Sequence, residues 1–306
     1  MKTWFAALLF ACTTLAQAEV WQVGLIGDVP YSDDERRELP RLLESVAGKK
    51  VDFIAHIGDF KHGKDRCDDA LFADRYQLFN ASRVPFIFIP GDNEWSDCGR
   101  LSNGGYDPLE RLDKLRRLFW ADKQSLGQKK LTLERQPGAY REHSRFRLGP
   151  VLFITLNIPG GNNNFGTTDL AQPEFLARNP VVLAWVKESF ALARHEKLAG
   201  IVLLFQANPG FKHFAQGLPH NGYRDFLTLL DQESATFPGQ TLVVHGDSHN
   251  NRIDHPLRDS KGKRLKRFTR LETFGYPMMG WTQLTIDSAS DKLFSFENHA
   301  WPARKQ

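Results

Sequence analysis

Cysteine is scarce in this sequence. Three occur in 306 residues, and one of them, Cys12, falls within the first eighteen. Net charge is also small. A formal +4 over so long a chain gives no case for a nucleic-acid partner, which would need basic residues gathered on one face. Beyond the N-terminus no apolar run is long enough to cross a bilayer, so no membrane span is expected. There is no internal repeat and no Pro- or Ser-rich linker, so residues 19–306 are expected to form one domain. Composition is otherwise ordinary, 41% hydrophobic and 25% charged, which argues against disorder.

The N-terminus reads as a leader. Met1-Lys2 supplies positive charge, residues 4–15 are apolar or small, and Ala16-Gln17-Ala18 has the form of a cleavage site. A lipid anchor on Cys12 ranks below this, because Phe10 is bulky for that role. The mature chain is therefore expected to be exported, to the periplasm or beyond. Cleavage removes Cys12 and leaves Cys67 and Cys98. An even number in an oxidising compartment predicts a disulfide between them, the alternative being two free thiols.

What the sequence does have is a recurring strand end. Residues 23–28, 53–59, 86–92 and 242–247 are apolar runs that each stop in a turn-forming Gly-Asp, at Asp28, Asp59, Asp92 and Asp247. The first three alternate with helical patterns at Asp33 or Asp34 to Val46 and at Asp68 to Phe79. That rhythm implies a parallel sheet with right-handed crossovers. A helix is expected over Asp107–Trp120, with Pro108 at its first position. Further expectations are a hairpin turning at Gly149-Pro150, a helix from Pro180 to Ala193, a strand from Gly200 to Phe205 and a helix from Asn221 to Leu230. Antiparallel strands are expected near the C-terminus, at Phe268–Phe274, Trp281–Ile286 and Leu293–Glu297. The basic run from Arg258 to Arg270 reads as a solvated hairpin. In open α/β sheets, ligand sites lie at the carboxyl ends of strands, so four such ends carrying carboxylates and His249 predict a metal centre.

The order Gly-Asp, Gly-Asp, Gly-Asp-Asn-Glu, then Gly-Asp-Ser-His resembles the motif series of the calcineurin-like metallophosphoesterases, which include the purple acid phosphatases. The resemblance implies a four-layer α/β/β/α sandwich of two mixed sheets. It also implies two metal ions that activate a hydroxide for attack on a phosphate mono- or diester. Asp59 would bridge the ions. The His expected after Asp28 is missing, and His62, three residues beyond Asp59, is the proposed replacement. The first ion would then be held by Asp28, Asp59, His62 and His249, a set suited to Fe, Zn or Mn. The second would be held by Asp59, Asp92, Asp247 and an amide oxygen of Gln206 or Asn208, hard ligands suited to Mg, Ca or Mn. Asn93 takes the place of a catalytic His and would steady phosphate, with His213 and His220 as candidate proton donors. Glu94 and His245 would orient ligands, His56 would be a core residue, and Asn162 and Asn163 would lie on a substrate loop. The expected substrate is a small phosphorylated molecule. The substituted ligand positions leave a weak or inactive metal- or phospho-ligand-binding relative as the alternative.

Overall fold

The computed structural model describes residues 19–166, 170–219, 222–258 and 261–302. The expected leader lies outside them. Two mixed sheets stack face to face. In the first, β1 (Val20–Ile26), β2 (Phe53–His56) and β3 (Phe86–Phe88) run parallel. Beside β1 lie the antiparallel β11 (Gly280–Asp287) and β12 (Phe294–Ala300), giving the order β12-β11-β1-β2-β3. The second has the order β4-β5-β6-β7-β8-β10-β9. Its members are β4 (Glu134–Arg135), β5 (Ser144–Leu148), β6 (Val151–Thr155), β7 (Gly200–Leu204), β8 (Gln240–His245), β9 (Arg252–Asp254) and β10 (Phe268–Glu272).

Side chains alternate across each strand, and this builds three cores. Val23, Leu25, Phe53, Ala55, Ile87 and Ile89 point at the second sheet and meet Phe153, Val202, Leu204, Leu242 and Val244. On the other face Ile26, Ile54, Phe86 and Phe88 pack under α1 (Asp33–Gly48), α2 (Asp69–Asn80) and α3 (Pro108–Phe119). The outer face of the second sheet, with Ile154, Ile201, Leu203 and Val243, is covered by α4 (Pro173–His195) and α6 (Arg224–Thr236); the short α5 (Phe211–Ala215) precedes α6. The expected four-layer sandwich is what the chain forms.

Several local expectations change. The helix expected from Pro180 begins at Pro173, which occupies the first turn where a missing N–H costs nothing. Pro180 is carried inside the helix because Phe175, Arg178 and Val182 share its buried face. The strand at 268–272 pairs parallel with β8 rather than joining an antiparallel tail. The cap of α1 is Ser32, whose hydroxyl accepts the Glu35 N–H at 3.2 Å, while the Glu35 carboxylate accepts the Tyr31 N–H at 2.7 Å. That exchange fixes Tyr31 at the rim of the strand ends. Among the described residues no helix is long and apolar enough to cross a membrane.

Cys67 and Cys98 form a disulfide with Cα atoms 5.8 Å apart. It ties the loop after β2 to the loop after β3. Opening a ring of 31 residues' separation is expected to cost about 3–4 kcal/mol on the chain-entropy relation. The Cys67→Ser, Cys98→Ser double variant should therefore melt roughly 5–10 °C lower.

Candidate metal centre

The four Gly-Asp ends deliver their carboxylates to one place between the two sheets' C-terminal edges. Asp28, Asp59, Asp247 and His249 all hold left-handed backbone, with φ of 51°, 58°, 77° and 56°. Such conformations cost a non-glycine residue of order 1–3 kcal/mol each and persist where the surroundings over-determine them. The surroundings here are backbone donors. Asp28 accepts the Asp247 N–H at 3.0 and 3.2 Å, which joins the first sheet to the second. Asp59 accepts the Asn93 N–H at 3.1 Å, and Asp247 accepts the Asn208 N–H at 2.8 Å. Glu94 accepts both the Gly91 N–H (2.6 Å) and the Asp59 N–H (3.0 Å), so one buried carboxylate staples the second loop to the third. Glycine is required where the loops touch. A Cβ on Gly91 would stand 2.1 Å from Asp59 Oδ1, and one on Gly160 would stand 2.4 Å from Asp92 Oδ1 and 2.9 Å from Asp247 Oδ1.

His249 donates from Nδ1 to the Tyr276 carbonyl at 2.8 Å, which turns Nε2 toward Asp28 Oδ1 at 3.4 Å. Holding Nδ1–H on a carbonyl is the arrangement that leaves Nε2 available as a ligand. Burial and mutual repulsion push the carboxyl groups up. Asp28 rises to about 6 and Asp247 to about 7, each chiefly through burial; Asp59, also buried, is lifted further by Asp92, Glu94 and Asp28. Burial takes Glu94 to about 7. Groups held above their unfolded values are protonated more readily in the folded chain, so folding gains from their protonation. Chelator-treated protein is thus expected to be most stable near pH 4–5 and to lose melting temperature as pH rises through about 6 and 7. A melting curve that is flat over that interval would contradict this.

Tyr31 was not singled out in the sequence, and it occupies the centre of the site. Its hydroxyl donates to Asp59 Oδ2 at 3.0 Å and accepts from Asn93 Nδ2 at 2.9 Å. Burial, Asp59 and Asp28 raise its pKa well above the usual tyrosine range. Its ring lies edge-on to His62 and to His249, with centroids 5.5 and 5.2 Å away. Tyr31 stands three residues after Asp28, the same offset that singled out His62 after Asp59.

Several expected roles change with the side chains' actual bonds. His62 accepts the Lys64 N–H on Nδ1 and packs on Tyr31, while the hydroxyl of Tyr31 is the group that reaches Asp59. Gln206 lies at the heart of the cluster, but its oxygen accepts the Gly160 N–H at 2.5 Å and its NH2 donates to Asp59 at 3.1 Å. It donates to Asp59, and its oxygen accepts one backbone N–H. Asn208 sends its side-chain NH2 to Ser248 and its oxygen to the Gly210 N–H. Asn93 spends its amide hydrogens on Tyr31 and on the Lys61 carbonyl. His245 is a core residue: it is stacked near Phe205, bonded to the Gly246 carbonyl and pushed down to about 3 by burial. His56 likewise bonds the Val29 carbonyl at 2.6 Å in the core under α1, α2 and α3, beside Phe79 and Phe88. Asn162 accepts the Gly222 N–H and Asn163 bridges Arg178 to the Gly222 carbonyl, so both amides hold the loop itself. His213 is exposed on α5, and His220 lies outside the described residues.

The donor set suits a hard cation. Asp92 Oδ1 is buried without a hydrogen-bond partner, and four carboxylates that raise one another's pKa need a positive charge among them. The residues that would hold it are Asp28, Asp59, Asp92, Asp247 and His249. The amide oxygens of Gln206 and Asn208, expected at a second ion, each accept one backbone N–H, from Gly160 and Gly210. Among the described residues no three Asp, Glu, His or Cys side chains are already posed around a common point; hydrogen bonds from Tyr31, Gln206 and Asn208 hold the carboxylates instead.

No curated protein matches the chain. Solved structures do. A purple acid phosphatase from yellow lupin (Lupinus luteus) seeds has a TM-score of 0.54 at 14% identity. The match covers 93% of this chain and 52% of that one, so the chain spans about half the lupin protein's length. A dimetal phosphatase from Danio rerio gives 0.49 at 14% identity, covering 91% of this chain and 98% of that one. At these identities the likeness to the lupin protein speaks for the fold alone. The calcineurin-like phosphoesterase family model matches residues 22–251, which take in every strand-end aspartate and His249, and the chain belongs to that family.

Proposed function

We propose that the chain is an exported, metal-dependent phosphoesterase acting on a small phosphate mono- or diester. The observation that carries this reading is the convergence of four aspartates, three buried and Asp247 half-buried, with Asp28, Asp59 and Asp247 on left-handed backbone, at the strand ends of a calcineurin-like fold. The disulfide between two of those loops supports an oxidising compartment, periplasmic or extracellular. A divalent ion held by Asp28, Asp59, Asp92, Asp247 and His249 supplies Lewis acidity toward phosphoryl oxygens.

The protein's own groups do the rest. Glu94 fixes the backbone of Asp59 and Gly91, which keeps the central carboxylate aimed inward. Gln206 and Tyr31 donate to Asp59 and set its orientation. Asn93 cannot transfer a proton usefully, and its NH2 is engaged. The Tyr31 hydroxyl donates into the cluster at Asp59, so Tyr31→Phe is expected to lower kcat about 100-fold on an alkyl phosphate, within the usual range for a general acid. The loss should be much smaller on p-nitrophenyl phosphate, whose leaving group needs no proton. Equal losses on both would make Tyr31 a positioning residue.

The direct test is metal content per chain by elemental analysis, with turnover of p-nitrophenyl phosphate and bis(p-nitrophenyl) phosphate. Protein that holds no divalent ion and hydrolyses neither ester with any added ion would end the proposal. A weak or inactive relative is the second reading, favoured by the three donors that occupy Asp59. Saturable phosphate binding by metal-loaded protein without turnover would identify it.

A further inference from the structure

The basic run that reads as a solvated hairpin does not simply project into solvent. Arg258 and Arg264 face one another across an isolated bridge and fold back toward α5 and β9. Together with Lys212, Arg252, Arg270 and His255 they wall an open cavity of about 590 Å³. One carboxylate, Asp254, lines it among the described residues, and Arg270 already grips it, Nε to Oδ1 at 2.7 Å. Arg252 is neutralised from behind by Glu272 at 2.7 Å, and its buried Nε has no partner. Lys212, Arg258 and Arg264 carry no ion pair among the described residues. Three cations without an ion pair among the described residues, on one concave wall, raise the local concentration of anions. Guanidinium forks suit the paired oxygens of phosphate.

Size narrows the ligand. A cavity of this volume lies within the range of small-molecule sites and is far larger than one orthophosphate needs. Ile253, 39% exposed, is shared with an adjoining cavity of about 660 Å³ that is walled by Phe294 and Phe296 and rimmed by Lys266 and Lys292. The space is thus cationic with an apolar shoulder. The cavity is also wired to the metal loops. Glu272, which holds Arg252, accepts the Ser248 hydroxyl at 2.5 Å and the Asn250 N–H at 3.0 Å, and these residues flank His249. Without a bound cation the cluster of aspartates repels such an anion, whereas this cavity attracts it with the protein's own side chains.

The geometry points to a second, anion-binding site: the cavity between α5 and β9 holds a molecule bearing two or more phosphate groups on an organic body. The inference does not depend on turnover. It is tested in Asp59→Asn protein by calorimetric titration with inorganic tripolyphosphate at low and moderate salt, with and without Lys212→Ala and Arg264→Ala together. Both substituted side chains are exposed, and matched melting temperatures establish that the fold is intact. One saturable site is expected, weakened at least tenfold by the double variant and weakened by salt. Arg258→Glu, which reverses a charge on the same wall, should weaken it further. Equal affinity with and without the two cations, or no saturable binding, overturns the inference. A lack of phosphatase activity in the wild type would leave this result unchanged.

Discussion

Asp59→Asn is expected to remove nearly all turnover, by about a thousand-fold in kcat/KM. The carboxylate sits where all the loops meet: Asn93 donates to one oxygen, Tyr31 and Gln206 donate to the other, and Glu94 holds its backbone N–H. A cation that stabilises transition-state charge supplies several kcal/mol, and each 1.36 kcal/mol is worth about tenfold in rate, which gives that magnitude. The fold should survive. Asn tolerates left-handed backbone better than other non-glycine residues, so the φ of 58° is kept without added strain. In metal-free protein at neutral pH the variant should even melt higher than the wild type, because a neutral amide is spared the burial cost and the repulsion from Asp92, Glu94, Asp28 and Asp247 that oppose a charge at this position. Adding the divalent ion should reverse that order, since the wild type alone gains the full donor set. Wild-type turnover in the variant, or a melting temperature that ignores both metal and substitution, would remove Asp59 from the centre of the site.

The parts of this architecture written locally were legible in the sequence. A Gly-Asp that closes an apolar run states its own strand, its own turn and the carboxylate at the edge, so Asp28, Asp59, Asp92 and Asp247 could be placed one by one. The disulfide was legible because, with Cys12 assigned to the expected leader, Cys67 and Cys98 were left to pair. What failed to show was whatever depends on a partner distant in the chain. Gln206 turns its NH2 inward because the Gly160 N–H, 46 residues away, claims its oxygen. Tyr31 enters the site because α1 starts with a reciprocal cap that pins its N–H to Glu35. His62 was picked out by its offset from Asp59, and at the same offset from Asp28 stands Tyr31, whose hydroxyl reaches Asp59. Pro180 was misread for a related reason. A proline looks like a helix start until the buried face around it, Phe175, Arg178 and Val182, is known to be continuous.

Arg178→Ala is expected to be the most destabilising single change outside the metal loops, by about 3–5 kcal/mol, the cost of breaking a buried pair from one side. The guanidinium is fully buried. It donates to Glu174 (2.7 Å), to the Asn157 carbonyl (2.8 Å), and to both the side-chain and main-chain oxygens of Asn163 (2.7 and 2.9 Å). Its removal leaves these acceptors without their charged donor. The consequence reaches the site because of what Arg178 holds. Gly161, Asn162, Asn163 and Asn164 run through consecutive left-handed positions with φ between 53° and 58°. Left-handed turns cost L-residues roughly 1–2 kcal/mol each, least for Gly and Asn, so the segment needs an anchor. The residue just before it, Gly160, is the one that packs against Asp92 and Asp247 and fixes Gln206. With the anchor gone the turn can relax toward ordinary backbone, and Gln206 loses the contact that aims its NH2 at Asp59. The variant should therefore lose both melting temperature, by roughly 10 °C, and metal affinity at temperatures where it is still folded. Arg178→Lys, which keeps the charge but not the fork, should recover part of the stability and little of the affinity. Loss of stability with wild-type metal affinity in the folded protein would show that the left-handed turn is braced by Gly222 alone. Loss of both is the outcome that the chain of bonds from Arg178 through Gly160 to the aspartates requires.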